Sequence, residues 1–290
     1  MKTGLFILFI LTMSIASAQQ SFLVYQLKGN VKLKIGKQYS QLRIGQSVKS
    51  ANTILLGKDA AVMLICEGYA SFTINKAGNH LLKDYVDSCI RETNSVTSKY
   101  FKYIWDELTH PHSTPESNRR KYMQNTGAVV RGCPGIKVDQ VFDTINNHNG
   151  QVTIKWKTDL PNAQLSFVLY DNEKEGRLLH SSYMDKNYVL LDTIKKYAGN
   201  NEEIYWNLAI NGNEVCSRKY IKLWQTGDYT DLLAHLNAAT GTILDKAERY
   251  YAIGFLLESQ HFLAEAKEYY KKASTLKPTE KRYRQALNDF

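Results

Sequence analysis

A chain of 290 residues exceeds one typical domain and suggests two or three. Its 37 basic and 28 acidic side chains give a formal net charge of +9, and the excess sits in one segment. Residues 19–83 hold nine bases against two acids, 84–135 hold seven against six, and the segments 136–225 and 226–290 balance. A field of one sign favours anionic partners such as acidic glycans or lipid headgroups. Beyond the N-terminus no run approaches the ~18 apolar residues of a membrane-spanning helix, so none is expected there.

The first 18 residues read as an export signal. Lys2 gives the positive start, Leu5 to Ile15 the short apolar stretch, and Ala16-Ser17-Ala18 the small-residue cleavage pattern before Gln19. No Cys follows the apolar run, which argues against lipid attachment. Export to the periplasm or the cell surface is the expectation, and it makes nucleic acid the least fitting polyanion.

Residues 19–83 predict a basic module of short strands. Val24 to Leu27 leads to Gly29-Asn30, a tight-turn signal, after which Val31, Leu33 and Ile35 alternate with Lys32 and Lys34. A period of two puts the aliphatics on one face and the lysines on the other. Further strands are expected at Leu42 to Ile44, Thr53 to Leu56, Val62 to Cys66 and Ser71 to Ile74. Lys28, Lys32, Lys34 and Lys37 are the candidate anion-binding residues. Gly29-x-Val31, Leu42-x-x-Gly45, Thr53-Ile54-x-x-Gly57 and Ala61-Val62-x-Leu64 resemble the FecR-type domain of bacterial envelope and signalling proteins over about 60 residues. The resemblance implies a small β structure with a binding or regulatory role and no catalytic residues.

Residues 84–135 read as a connector. Val96, Tyr100, Ile104 and Leu108 recur at intervals of four in a helix over Asn94 to Leu108, widened by Phe101 and Trp105 and capped by Ser95. Pro111 and Pro115 then enforce a loop. His110 and His112 straddle a proline without a cysteine or carboxylate cluster nearby, a poor metal set. Arg119-Arg120-Lys121 is a short basic cluster.

Residues 136–225 predict an antiparallel β-sandwich. Strands are expected at Lys137 to Phe142, Val152 to Lys157, Leu165 to Tyr170, Leu178 to Ser182, Tyr188 to Leu191, Ile204 to Ile210 and Glu214 to Leu223. Val152, Ile154 and Trp156 should share the inner face, and Asn211-Gly212 should close a hairpin. The layout is similar to immunoglobulin-like and fibronectin type III modules, a likeness of architecture that implies no particular ligand.

Residues 226–290 switch to helix. Between Ala247 and Pro278 stand Tyr250, Ile253, Gly254, Leu257, Ala266, Tyr270 and Ala273, at intervals that resemble a single tetratricopeptide repeat. Departures are His261, where the turn usually has Gly, and Leu263 in place of an aromatic. The resemblance implies two antiparallel helices, with Glu248, Tyr251, Phe255, Glu258 and Ser259 on the side that faces a partner. Equally, Tyr251 and Phe255 fit a structural cap covered by the helix at Asp228 to Ala239. One repeat needs neighbours to bury its faces.

Cys66, Cys89, Cys133 and Cys216 allow three full pairings. In an oxidising envelope, proximity within modules favours Cys66–Cys89 and Cys133–Cys216. No phosphate-binding glycine loop, Gly-x-Ser-x-Gly elbow or His-Glu-x-x-His is present. No enzyme activity, cofactor or metal is therefore expected. The sequence points to a multidomain exported scaffold or adaptor that binds a protein through its C-terminal helices. The alternative is a binder of anionic envelope glycan through the basic module.

Overall fold

A computed structural model of the chain describes residues 20–89, 96–110, 119–120, 122–123, 135–138, 143–160, 164–214 and 217–290. The expected signal segment, His112, Lys121, Cys133 and Cys216 lie outside the described residues. Two compact units divide at Thr93 and Asn94. The broad layout is a β-rich N-terminal region followed, at the C-terminal end, by helices.

The first unit is built from β1 (Ser21–Lys28), β2 (Val31–Ile35), β3 (Gln38–Gln41), β4 (Ser47–Lys49), β5 (Thr53–Leu56), β6 (Ala61–Cys66), β7 (Ser71–Ile74) and β8 (Gly78–Leu81). They form two four-stranded antiparallel sheets, ordered β4-β1-β6-β7 and β3-β2-β5-β8. The Gly29-Asn30 turn closes no hairpin, because β1 and β2 belong to different sheets. Gly29 adopts φ +72°, and a Cβ there would stand 3.0 Å from the Ala60 backbone. Glycine alone makes this corner without strain.

Leu42 to Ile44, expected as a strand, is instead the loop after β3. Its Leu42 side chain is buried and its N–H donates to the Val31 carbonyl at 3.1 Å, so local pairing outweighs the aliphatic run. The core joins Phe22, Val24, Val31, Leu33, Ile54, Leu56, Val62 and Leu64. A 3-10 helix over Leu82–Cys89 follows β8. Its last residue, Cys89, is disulfide-bonded to Cys66 at the end of β6, with Cα atoms 5.8 Å apart.

The second unit unites the connector helix, the strands and the C-terminal helices, which the sequence divides into three segments. Its first helix is α1 (Val96–Thr109). Then follow β9 (Ile136–Val138), β10 (Thr144–Asn147), β11 (Thr153–Thr158), β12 (Leu165–Tyr170), β13 (Leu178–Tyr183), β14 (Tyr188–Leu190), α2 (Leu191–Ala198), β15 (Glu203–Ile210), β16 (Asn213–Glu214) and β17 (Lys219–Leu223). One sheet runs β10-β17-β15-β12-β13 with β16 added to β15, and the other runs β14-β11-β9.

Their inner faces share one core, in which the Phe167 and Trp206 rings stack at 5.6 Å beside Ile154 and Trp156. Asn211 and Gly212, at φ +50° and +82°, form the β15–β16 turn, as the sequence predicts. Two features depart from a purely antiparallel sandwich. Strands β10 and β17 run parallel, and α2 stands between β14 and β15. In α2 the buried Leu191, Ile194 and Ala198 keep helical spacing, and Gly199 at φ +60° ends it.

The helical end comprises α3 (Thr226–Ala239), α4 (Lys246–Ser259), α5 (Leu263–Leu276) and α6 (Lys281–Asn288). Asp245 caps α4 by accepting the Glu248 N–H at 2.9 Å. Gly254 lets α4 and α5 approach, since a Cβ there would meet the Tyr270 ring at 2.9 Å. His261 occupies the turn between them at φ +68°, the conformation that usually selects glycine.

Candidate functional site

The inner face of α4 is filled by the protein's own chain. Residues three and four apart on a helix share a face, which aligns Glu248, Tyr251, Phe255 and Glu258. Tyr251 and Phe255 have no exposed surface, and Glu248 and Glu258 are also buried. From α1, Tyr103 stacks on Phe255 at 4.9 Å and Tyr100 meets it edge-on at 5.4 Å. The Tyr103 and Tyr251 hydroxyls lie 3.3 Å apart.

Each carboxylate on this face has partners within the fold. Glu248 accepts hydrogen bonds from the Tyr100 and Tyr283 hydroxyls and from Arg282 at 2.5 Å. Glu258 accepts from Arg119 and from the Tyr270 hydroxyl at 2.6 Å. Arg119 also pairs with Asp289 after α6, and its guanidinium lies over the Tyr270 ring at 5.2 Å. Burial favours the neutral phenols: it pushes Tyr251 up to about 12 and raises Tyr103 and Tyr270 well above the usual phenol range. Burial alone would lower Arg119, but Glu258, Tyr270, Tyr251 and the hydrogen bond to Asp289 together more than reverse this and hold it charged.

These contacts correct the expectation of a docking face. Glu248, Tyr251, Phe255 and Glu258 are core, because α1, Arg119 and α6 occupy the side the repeat resemblance leaves for a partner. Ser259 is half-buried and donates to the Leu256 carbonyl at 2.8 Å. The cover is α1 rather than the helix at 228–239. The apolar face of α1 is legible in the sequence but its neighbour is not, and nothing in the Arg119-Arg120-Lys121 cluster marks Arg119 as buried.

In the first unit, strand register decides what the lysines share. Pairing aligns Gln41, Lys32, Leu55 and Asn79 in one row across the sheet, and Tyr39, Lys34, Thr53 and Leu81 in the next. Lys32 and Lys34 are half-buried on the face away from the core residues Val31 and Leu33. The Lys34 ammonium stands 5.7 Å from the centre of the Tyr39 ring. Lys37 is exposed in the β2–β3 turn. Lys28 is exposed too, but at the end of β1 in the other sheet, so the four lysines form no single cluster.

Among the described residues no strand of this unit carries an acidic residue. Asp59 and Glu67 occupy turns, and Asp84 and Asp87 lie in the 3-10 helix. Residues 20–58 contain seven bases and no acid at all. The arrangement offers cations with no competing carboxylate on the same strands, which favours attraction of anions. Among the described residues no group of three or more His, Cys, Asp or Glu side chains is placed to hold a metal. No protein-family model matches the chain, and no curated protein matches it.

Proposed function

We propose that this protein is an exported, noncatalytic binding protein of the bacterial cell envelope whose ligand-contacting part is the N-terminal β unit. The observation that carries the reading is the acid-free run from residue 20 to 58, folded so that Lys32 and Lys34 share an outer sheet face beside Tyr39. A FecR-type binding or regulatory module fits this unit. The immunoglobulin- or fibronectin-like sandwich and the tetratricopeptide-like helices form a separate pre-assembled unit, joined where the loop after β10 meets α5 and the α4–α5 turn. Binding of the mature chain to a soluble acidic polysaccharide should weaken steeply as salt rises, because exposed charges are screened within about 10 Å at 0.1 M.

A protein-scaffold role remains the second reading, and α3 favours it. Among residues 226–239 only Leu236 is buried, while Leu232 and Leu233 are half-buried. A partner of the helical end would therefore use α3 and leave the inner face of α4 untouched. Capture of envelope proteins by the mature chain, repeated with Leu232 and Leu233 changed to Ser, tests that reading. It is sustained only if a specific partner is lost while the fold persists.

A further inference from the structure

Cations on a sheet face attract anions of any kind, and the groups standing beside them decide which anion fits. On the outer face of the sheet β3-β2-β5-β8, pairing sets Tyr39, Lys34, Thr53 and Leu81 side by side in one row. Gln41, Lys32, Leu55 and Asn79 form the row next to it. Tyr39, at one end of its row, is 50% exposed, and Leu81, at the other end, 39%. Leu55 is half-buried between Lys32 and Asn79, while Gln41 and Asn79 are exposed at the two ends of theirs. Each row crosses four strands, roughly 14 Å. Among the described residues no acid stands on these strands.

We propose that this face binds an acidic glycan, a chain of pyranose rings bearing carboxylates, laid across the strands. The proposal rests on the anion-binding reading of this unit and names its ligand class. Charge complementarity supplies the first part: Lys32 and Lys34 pair with the carboxylates. Tyr39 and Leu81 pack against the C–H faces of sugar rings, and the carboxamides of Gln41 and Asn79, which both donate and accept, take the hydroxyls. A polyphosphate would satisfy the lysines and leave Tyr39, Leu55 and Leu81 in water. An acyl chain would need a continuous apolar patch. Here every apolar side chain has a polar neighbour across the strands: Tyr39 has Lys34, Leu55 has Lys32 and Asn79, and Leu81 has Thr53. Apolar and polar groups interleaved in this way match a sugar chain, whose rings carry both.

The test measures binding of the chain from Gln19 onward to polygalacturonate and to polyphosphate at the same low salt. The unaltered chain should bind polygalacturonate through charge and ring contact together, and polyphosphate through charge alone. Tyr39→Ala with Leu81→Ser should lower polygalacturonate affinity by about tenfold or more through lost apolar contact, yet leave polyphosphate affinity unchanged. Lys32→Gln with Lys34→Gln should weaken both. Ile35→Ser, which strand alternation puts on the opposite face, should weaken neither. Tyr39, Leu81 and Ile35 are exposed, so thermal unfolding should be unchanged in their variants. Tyr39→Ala alone, on the edge strand β3, should show the same split between the two ligands if the double change lowers the melting temperature.

Polygalacturonate binding that ignores the Tyr39 and Leu81 changes yet falls with the lysine changes overturns the glycan assignment and leaves the anion-binding reading standing. Equal loss of both ligands on the Tyr39 change overturns the assignment as well. Binding of neither polyanion by the unaltered chain overturns both readings.

Discussion

Glu265, in the first turn of α5, accepts the backbone N–H of His148 at 2.7 Å through the same oxygen that accepts the Asn149 N–H at 2.8 Å. This carboxylate fastens the loop after β10 to the helical end. Around it, the Asn146 N–H donates to the His261 carbonyl and the Asn146 amide to the Gln260 carbonyl, while Trp224 packs on Phe262. Strands and helices are thereby held as one body in the second unit.

Glu265→Ala should cost about 1–3 kcal/mol, because it leaves two backbone donors without their acceptor. Glu265→Gln keeps an acceptor oxygen and should cost less. Burial raises the Glu265 carboxyl above the usual range, opposed by the two N–H groups. A raised folded pKa gives stability that is fully present below the ordinary carboxylate value and is lost as pH rises through the raised one. Wild type should therefore lose stability relative to the Gln variant as pH rises from the ordinary carboxylate range through the raised Glu265 value. Urea unfolding of both proteins across that range measures it.

The filled face of α4 predicts stability effects where a docking face would predict binding effects. Phe255→Ala should destabilise the second unit by about 3–5 kcal/mol. Glu258→Ala should cost a similar ~3–5 kcal/mol by leaving Arg119 buried with only Asp289 as a carboxylate partner. Thermal unfolding distinguishes the two roles: melting temperatures that barely move would return these residues to a surface.

The Cys66–Cys89 bond closes a loop with a sequence separation of 23. Replacing both cysteines by Ser should lower the stability of the first unit by about 3 kcal/mol on the chain-entropy estimate. Denaturant titration with and without reductant should give the same loss for wild type and none for the variant.

Gly254→Ala sets helix propensity against packing. The methyl gains about 1 kcal/mol as a helix former, but it would meet the Tyr270 ring at 2.9 Å, between helices already in contact. Overpacking at ~1–3 kcal/mol should win, so the variant should melt lower. A higher melting point would show that Tyr270 moves aside freely.

Much of this was legible in the sequence because the forces concerned are local. The alternation of Val31 and Leu33 with Lys32 and Lys34 marked β2, the Leu165–Tyr170 run matched β12, and Asn211-Gly212 marked its turn. The interval from Tyr250 to Ala273 placed α4 and α5.

What escaped depends on tertiary partners. Gln38–Gln41 is polar and joins a sheet only because β2 lies beside it. Strand β10 likewise exists through its parallel pairing with β17, dozens of residues away. Helix α2 was hidden in a segment whose neighbours all read as strand. The sequence also separated α1 from α4, although Tyr100, Tyr103 and Arg119 exist to complete that helix's core. A periodic pattern reports that a face is buried, not what buries it.

The proposed role of Lys32 and Lys34 is to hold an anionic ligand on the outer face of the first unit. It is tested most directly by the affinity of the chain from Gln19 onward for an acidic polysaccharide at low and high salt, with and without Lys32→Glu and Lys34→Glu. The double variant should lose most of its low-salt affinity and much of its salt dependence while the unit stays folded by circular dichroism. Equal affinity for variant and wild type at every salt concentration would contradict the claim.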